Sequence, residues 1–346
     1  MGLPGRTQGK LEMKTKNNSL DEIAGELKKA KRVVIFPHMN VDGDAMGTAS
    51  SICLGLRSLG VDSYVYLDES VPNNLDFLEA GCSTGDPDIV NGDTTVLMVD
   101  CSSVSRIGRR KEAFQRGGRS ICIDHHSTGE GDTTFDMEHI EPDSAACSEL
   151  AYLLLMELGV TLDLAMANSL FAGISTDSGN FQYSNTTART HLIAAKLFDV
   201  PGFDPKAVSS LVYERNSFSS MKMSSLVVER ARFMCGGKLV YGEITMDDLE
   251  RTGAQMNETD GIIQRLMSID GVETAVIFKE NGPDLVKVSM RARSWLNVGD
   301  VAQRLGGGGH VRAAGCSLKM GLDQAESVVL DELKKQMKID SQEQFC

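Results

Sequence analysis

The chain has 346 residues, of which 41% are hydrophobic and 24% charged, a balance typical of a soluble globular protein with two domains. It has no apolar run of the roughly 18–20 residues needed to cross a bilayer and no apolar secretory signal near its start, so a cytoplasmic, non-membrane protein is expected. The net charge of −13 lies mostly in residues 1–205, with 17 basic and 29 acidic side chains, which argues against binding long duplex nucleic acid.

Strand and helix patterns alternate through about the first 200 residues. Strands are predicted at 31–36, 61–67, 94–100 and 119–126, and helices at 45–59, 144–159 and 162–176. The strand cores 33–36, 96–99 and 121–123 are nearly all apolar, which is typical of strands covered on both faces. The alternation predicts a doubly wound, mainly parallel α/β domain.

A second, smaller α/β pattern follows a break at 200–210 that contains two prolines and a glycine. Strands are predicted at 238–244, 272–280, 284–293 and 312–318, with the middle two forming a hairpin, and helices at 257–269, 297–305 and 323–338. We expect a polar N-terminal extension over 1–18, a first domain over 19–205, a linker over 206–222, a second domain over 223–338 and a tail over 339–346.

Acids and histidines follow the apolar runs of the first domain. These residues are His38, Asp42, Asp44, Asp100, Asp124, His125, His126 and Asp177. Because parallel strands with right-handed crossovers end at one edge of a sheet, the residues that follow the strands should converge on one crevice. Asp177 would have to reach it from a helix or a turn.

Several carboxylates in one crevice repel each other unless cations neutralise them. Carboxylates with imidazoles and no thiolate favour Mn²⁺, Mg²⁺ or a similar ion over structural zinc. The eight cysteines are scattered and form no C-x-x-C pair, which also argues against a zinc ribbon or a disulfide framework. The ligands suffice for two ions with a bridging carboxylate, although each residue alone fits a helix cap or a structural histidine.

The glycine run 306–309 lies between a predicted helix and a predicted strand. Its backbone can approach a phosphate closely, and successive amides can form an anion nest. His310 and Arg312 add donors to it. Arg291 ends a neighbouring predicted strand, where a solvated charge is the alternative interpretation.

The segments HMNVDGDA, MVD, IDHH and STDSGNF resemble the four motifs of the DHH phosphoesterases, and GGGGHVRAAG resembles the glycine-rich motif of the DHHA1 domain. The resemblance extends from about residue 20 to about residue 335. It is closest to the bifunctional oligoribonuclease/3′-phosphoadenosine-5′-phosphate (pAp) phosphatases, or nanoRNases. It implies a DHH catalytic domain, then a smaller DHHA1 substrate-binding domain, with the active site in the cleft between them.

The resemblance also implies roles for individual residues. One Mn²⁺ would be held by His38, Asp42 and Asp100, and a second by Asp44, Asp100, His125 and Asp177. Asp124 would orient a histidine, and His126 would face the substrate phosphate; with the bridging Asp100 they form the expected catalytic group. The expected substrate-binding residues are Asn40, Arg291, Gly307, Gly308, Gly309, His310 and Arg312.

The implied reaction is hydrolysis of short oligoribonucleotides to mononucleotides and removal of the 3′-phosphate of pAp, by a hydroxide activated between two metal ions. Mn²⁺ is the preferred ion, with Mg²⁺ and Co²⁺ as alternatives. Two other interpretations stay open: a phosphodiesterase for linear or cyclic dinucleotides such as pApA or cyclic-di-AMP, and a non-catalytic nucleotide-binding regulatory module. A family II inorganic pyrophosphatase and a RecJ-like exonuclease are less favoured. A homodimer is also an open alternative.

Aromatic residues make up only 5% of the chain. A long single-strand channel usually stacks many bases on aromatic side chains, so their scarcity favours a short substrate. Phe181, Tyr183 and Trp295 are candidates for stacking on a base, with core packing or hairpin cover as the alternative for each.

Overall fold

Two units make up the chain, and they divide between Arg215 and Asn216. The structure is a computed structural model that describes residues 17–126, 133–259, 261–309 and 311–343. The segment expected to be a linker, 206–222, is largely helical, because one helix covers Pro205–Tyr213 and another starts at Phe218. Among the described residues, no helix is both long enough and apolar enough to cross a membrane.

The first unit contains seven α-helices and six strands in its described part. Its helices are α1 (Leu20–Leu27), α2 (Gly43–Ser58), α3 (Lys111–Gln115), α4 (Cys147–Glu157), α5 (Leu164–Asp177), α6 (Ala188–Leu197) and α7 (Pro205–Tyr213). Its strands are β1 (Arg32–Phe36), β2 (Asp62–Tyr66), β3 (Ser83–Thr84), β4 (Thr95–Val99), β5 (Arg119–Asp124) and β6 (Met137–Ile140). Short 3₁₀ helices cover Asp76–Leu78, Pro87–Ile89 and Val104–Arg110.

All six strands of the first unit lie parallel in the order β3-β2-β1-β4-β5-β6. Val33 and Ile35 of β1 pack into the core formed with α1, α2, α4 and α5. Val34 and Phe36, on the opposite face, pack with Phe114 of α3. Both faces of the sheet are therefore covered, as the continuous apolar runs predicted.

Helices α2 and α5 approach each other closely because both have glycines where they meet. A Cβ added to Gly47 of α2 would lie 2.3 Å from the carbonyl oxygen of Ser169 in α5. A Cβ on Gly173 would lie 2.9 Å from Oδ1 of Asp44. The close contact fixes the start of α2, which carries Asp44, against the helix that ends at Asp177.

The second unit contains a mixed sheet in the order β11-β12-β10-β9-β8-β7, in which only β8 and β9 are parallel. Its helices are α8 (Phe218–Glu229), α9 (Met246–Thr252), α10 (Ile262–Met267), α11 (Val298–Arg304) and α12 (Leu322–Glu343). Its strands are β7 (Arg232–Met234), β8 (Leu239–Ile244), β9 (Thr274–Glu280), β10 (Val286–Ala292), β11 (Gly308–Gly309) and β12 (Ala313–Leu318). Short 3₁₀ helices cover Cys235–Gly237 and Met256–Thr259.

The predicted fold class is confirmed, and most predicted elements lie within a few residues of the observed ones. The helix predicted over 257–269 is wrong in extent: a 3₁₀ turn covers Met256–Thr259, and α10 covers only Ile262–Met267. The helix predicted from 144 begins at Cys147, because the Asp44 carboxylate binds the backbone amide of Cys147 and the preceding Ala146 is extended. The apolar patterns located these segments but did not reveal where the backbone leaves the helix.

Replacing Gly47 by alanine should destabilise the first unit. The added methyl group meets the backbone of α5, so we expect a loss of about 1–3 kcal/mol in the free energy of unfolding, as in overpacked cores. Gly25→Ala in α1 is the matched control, because an added Cβ there meets no heavy atom within 4 Å. Denaturant unfolding of both variants measures the difference, and equal stabilities would contradict the close packing of α2 on α5.

Candidate active site

The central side chains of the site lie at or just after the ends of three neighbouring strands. His38 follows β1 by two residues, Asp100 directly follows β4, and Asp124 is the last residue of β5. The strands β1, β4 and β5 are adjacent and parallel, so their carboxyl ends meet at one edge of the sheet. The predicted convergence of these residues is confirmed.

Asp42 and Asp44 belong to the start of α2 and have different environments. Asp42 is the N-cap residue, and its carboxylate accepts hydrogen bonds from the backbone amides of Asp44 and Ala45. Asp44 is fully buried, and its two oxygens accept the backbone amides of Cys147 and Ser148 in the first turn of α4. Asp44 therefore joins α2 to α4, which the sequence did not reveal.

Asp177, which was expected to reach the crevice from a helix or a turn, is the last residue of α5. Its carboxylate Oδ2 lies 3.2 Å from Nε2 of His125. The side-chain amide of Asn185 donates to the carbonyl oxygens of Asp177 and Ala145, at 3.1 and 3.0 Å. The end of α5 is thereby tied to the loop that precedes α4.

Asp100 lies at the centre of the cluster. Its Oδ2 is 3.3 Å from Nε2 of His38, and its Oδ1 is 3.4 Å from Nε2 of His125. Three groups of ligand atoms lie close enough to hold a metal ion: His38 with Asp42 and Asp100, Asp44 with His125 and Asp177, and Asp100 with His125 and His126. The first two groups are those in which the resemblance places the two ions, apart from the bridging role of Asp100.

The orientation of His38 and His125 suits metal binding. Nδ1 of His38 lies 2.8 Å from the carbonyl oxygen of Met39, and Nδ1 of His125 lies 3.1 Å from that of Ser144. A carbonyl only accepts hydrogen bonds, so each Nδ1 carries the proton. When a cation is bound, each ring would be neutral with its lone pair on Nε2, which points towards the carboxylates. Without a cation, burial would lower the pKa of each ring, but the same carboxylates outweigh burial and raise that pKa.

His126 has a different partner. Its Nδ1 lies 2.7 Å from Oδ1 of Asp124, and its backbone amide donates to the same oxygen. Asp124 is fully buried at the end of β5. Because Nδ1 of His126 is engaged with Asp124, a ring contact with substrate would be made through Nε2. This is the arrangement expected if Asp124 orients a histidine that faces substrate.

Burial and mutual repulsion strain the carboxylates of the cluster. Burial, followed by the charges of Asp100 and Asp177, raises the pKa of Asp44 well above its usual value. Burial alone would lower the pKa of His125, but the carboxylates of Asp100 and Asp177 outweigh it and raise that pKa to about 12. Burial also raises the pKa of Asp177, whereas at Asp100 burial is outweighed by the imidazoles of His125 and His38, which lower the pKa. The histidines therefore compensate Asp100 better than Asp44 and Asp177.

The cluster fits divalent cations. Oδ1 of Asp100 and Nε2 of His125 are buried and 3.4 Å apart, and neither makes a well-directed hydrogen bond among the described residues. Buried polar atoms are normally paired, so two facing orphans mark a place for a group that accepts lone pairs. Carboxylate and imidazole ligands suit Mn²⁺, Mg²⁺ and similar ions.

A network behind His125 was not predicted. Ser144, whose carbonyl oxygen holds His125, donates through Oγ to the buried carboxylate of Glu149, and Arg189 donates to the same oxygen of Glu149 at 2.9 Å. The available signal was an acid in an otherwise apolar helical pattern, since Glu149 lies inside α4. This network holds the carbonyl of Ser144 in place.

Asn40 and Asp100 both have left-handed backbone conformations, with φ of +54° and +57°. Such values are uncommon for residues other than glycine and are found often at functional sites. The backbone amide of Asn40 donates to the carboxylate of Glu69, and that of Asp100 donates to the carbonyl oxygen of Ile123. Both conformations are therefore held by specific contacts beside His38.

The other expected substrate residues belong to the second unit. Nη1 of Arg312 donates to the carbonyl oxygen of Leu296 at 2.7 Å, and Nη1 of Arg291 to that of Met290 at 3.0 Å. Part of each guanidinium group is thus engaged within its own unit. His310 lies outside the described residues. The substrate roles of these residues stay predictions.

The glycine run is not an open row of four amides. The amides of Gly306 and Gly307 donate to the carbonyl oxygens of Gln303 and Ala302, and Gly308–Gly309 pair with β12. The need for glycine is steric: a Cβ on Gly307 would lie 2.2 Å from the carbonyl oxygen of Gly315. The nest interpretation was therefore wrong for Gly306 and Gly307, whose donors are already used.

The three candidate stacking residues differ in exposure. Phe181 packs against Phe171 and His191, with ring centroids 6.1 and 5.3 Å apart. Trp295 is partly buried against the core of the second unit. Tyr183, by contrast, is 46% exposed. Core packing thus accounts for Phe181 and Trp295 but not for Tyr183.

Comparisons with known proteins identify the family of this chain. Residues 32–174 match the DHH family, N-terminal domain, and residues 236–338 match the DHHA1 domain. The bifunctional oligoribonuclease and PAP phosphatase NrnA of Thermus thermophilus is 31% identical over 312 residues, with 88% of this chain and 90% of that protein covered. This chain therefore belongs to the DHH phosphoesterase family, and it is a phosphoesterase.

A more distant relative has a different activity in its name. The cyclic-di-AMP phosphodiesterase GdpP of Geobacillus thermodenitrificans is 26% identical over 320 residues, which cover 87% of this chain and 46% of that protein.

Solved structures support the fold. An exopolyphosphatase-related protein from Bacteroides fragilis superposes with a TM-score of 0.85 at 20% identity, with 93% of this chain and 97% of that chain covered. RecJ from Thermus thermophilus, solved in complex with Mn²⁺, gives a TM-score of 0.52 at 16% identity and covers 91% of this chain and 54% of that chain.

Asp100→Asn should remove most of the Mn²⁺ affinity. The variant keeps the shape of the side chain but loses the charge that His38 and His125 share. We expect an affinity loss of at least about 100-fold, since altering a residue that merely orients a ligand costs about 10–100-fold. Calorimetric titration of protein stripped with EDTA measures it. Asp21→Asn, in the exposed first turn of α1, is the control, and Mn²⁺ binding to Asp100→Asn as tight as to this control would contradict the site.

Proposed function

We propose that this chain is a divalent-metal-dependent phosphohydrolase that cleaves short oligoribonucleotides to mononucleotides and removes the 3′-phosphate of pAp. The proposal includes two ions, with Mn²⁺ preferred, and a cytoplasmic location. The names of relatives such as NrnA of Thermus thermophilus support the choice of substrates.

One observation carries the proposal: Asp100 lies within 3.3 and 3.4 Å of two imidazole nitrogens that belong to two different groups of ligand atoms. A carboxylate with one oxygen towards each group is suited to bridge two cations. RecJ from Thermus thermophilus, a protein of the same fold, was solved in complex with Mn²⁺, which supports Mn²⁺ as a suitable ion for this site.

Two divalent ions, when bound, would lower the pKa of water and offset charge on phosphoryl oxygens. The chain itself positions the groups. His38 and His125 would donate their Nε2 lone pairs, since their Nδ1 protons are held by carbonyl oxygens. His126, held by Asp124, would present Nε2 to a substrate oxygen and stabilise the negative charge that develops there.

The second candidate is a phosphodiesterase for linear or cyclic dinucleotides. The relative GdpP favours it, since its similarity covers 87% of this chain. Both candidates require the same centre and differ in how substrate is held. Loss of ligands would have favoured the non-catalytic alternative, whereas all six expected ligand residues are present in groups close enough to hold an ion. Binding of nucleotide without metal-dependent turnover would support that alternative.

A substrate panel tests the proposal. The panel contains pAp, pApA, cyclic-di-AMP, pyrophosphate and RNA from two to twenty-four nucleotides, each assayed with Mn²⁺, Mg²⁺ or EDTA. We expect turnover of pAp and of the shortest RNAs with Mn²⁺, slower turnover as RNA lengthens, and none with EDTA. Activity confined to pApA or cyclic-di-AMP would favour the second candidate, and activity confined to pyrophosphate would refute both.

Asp124→Asn separates substrate contact from metal binding. The variant weakens the hold on Nδ1 of His126, whereas the ligand groups that contain His38 and Asp177 do not include Asp124. We expect kcat for pAp to fall about 10–100-fold while Mn²⁺ affinity stays close to that of the wild type. Loss of Mn²⁺ binding in this variant would show that Asp124 acts as a metal ligand, contrary to the proposed division of roles.

A further inference from the structure

Two exposed tyrosines lie beside the end of α5 that carries Asp177. Tyr183 is 46% exposed and Tyr213 is 39% exposed. They are the two tyrosines among the large hydrophobic side chains that are exposed in the described part of the chain. Both rings contact the segment from Ser175 to Gly179, which contains the candidate metal ligand Asp177, and both remain partly exposed.

Each ring is anchored within two residues of Asp177. The hydroxyl of Tyr213, at the end of α7, lies 2.9 Å from Oγ of Ser175. The ring of Tyr183 lies over Gly179, where an added Cβ would be 2.4 Å from two ring carbons. The two rings thus flank Asp177 on either side along the chain.

A rigid turn determines which aromatic points outward. Gly179, Asn180 and Phe181 all have left-handed φ values, between +56° and +64°. The amide of Tyr183 donates to the carbonyl oxygen of Ser178 at 2.9 Å, which closes the turn. Phe181 is directed into the core and Tyr183 outward, so the exposed ring is held in place without a ligand.

We propose that Tyr183 and Tyr213 form a platform on which a nucleobase of the substrate stacks, next to the phosphate that reacts. The inference rests on the proposed function. Base–aromatic stacking is tolerant of sequence because every base has a π-face. The platform therefore explains how one site accepts mixed short RNAs and pAp without base-specific hydrogen bonds.

The surroundings favour a base over a phosphate as the occupant. Glu214 follows Tyr213, Asp177 lies between the two contact residues Ser175 and Gly179, and Arg215 is paired with the Asp76 carboxylate at 2.6 Å. Carboxylates near the rings repel a phosphate unless a cation intervenes. Neither tyrosine adds a positive charge. Two preorganised rings reduce the entropy lost when a base stacks, so a short substrate can be held with few contacts.

A pair of substrates with and without a base tests the platform. kcat/KM is measured with Mn²⁺ for pAp and for base-free ribose 3,5-bisphosphate. We expect the wild type to prefer pAp, Tyr183→Ala to lower that preference about tenfold through KM, and Tyr183→Phe to retain it because the ring remains. Phe198→Ala, which removes another exposed ring (62%) of the same unit, is the matched control and should leave the preference unchanged.

The outcomes separate this inference from the proposed function. An unchanged preference in Tyr183→Ala, or an equal loss in Tyr183→Phe, overturns the platform while leaving the phosphohydrolase intact. If the wild type hydrolyses neither compound, the proposed function fails, and calorimetric binding of AMP and ribose 5-phosphate decides the platform instead. Tyr183→Ala should then weaken AMP binding about tenfold more than ribose 5-phosphate binding, and equal weakening refutes stacking.

Discussion

The site depends on electrostatic repulsion among acids that the fold forces together. The ends of β1, β4 and β5 bring Asp100 and Asp124 to one edge of the sheet, and the starts and ends of helices add Asp42, Asp44 and Asp177. Burial makes their repulsion costly, as the raised pKa of Asp44 indicates. A divalent cation bound by these ligands would offset that cost.

The rest of the first unit serves to hold this arrangement. The glycine contact between α2 and α5 fixes the separation of Asp44 and Asp177. The two amides that bind Asp44 belong to the first turn of α4. Amides at a helix start have no partner within the helix and prefer a negatively charged acceptor. Asn185 connects the end of α5 to the loop before α4. The positions of the candidate metal ligands therefore depend on helix packing and loop contacts away from the strand ends.

The sequence predicted the sheet edge because continuous apolar runs followed by acids have few other interpretations in an alternating α/β pattern. It did not predict the proton positions on His38 and His125, since Met39 and Ser144 contribute only backbone carbonyls. Nor did it reveal the partner of Asp44, which is more than 100 positions away. The glycine run shows the same limit: β12 was predicted as a strand, but its return against Gly307–Gly309 is visible only in three dimensions.

The use of main-chain carbonyls to hold both imidazoles also affects how the site responds to mutation. A side-chain change at Met39 or Ser144 leaves the acceptor atom in the chain, so neither ring loses its proton acceptor directly. A substitution of Asp124 can remove the acceptor of His126 altogether, because that oxygen belongs to the Asp124 side chain. Genetic drift can therefore alter the neighbours of His38 and His125 with less risk than the neighbour of His126.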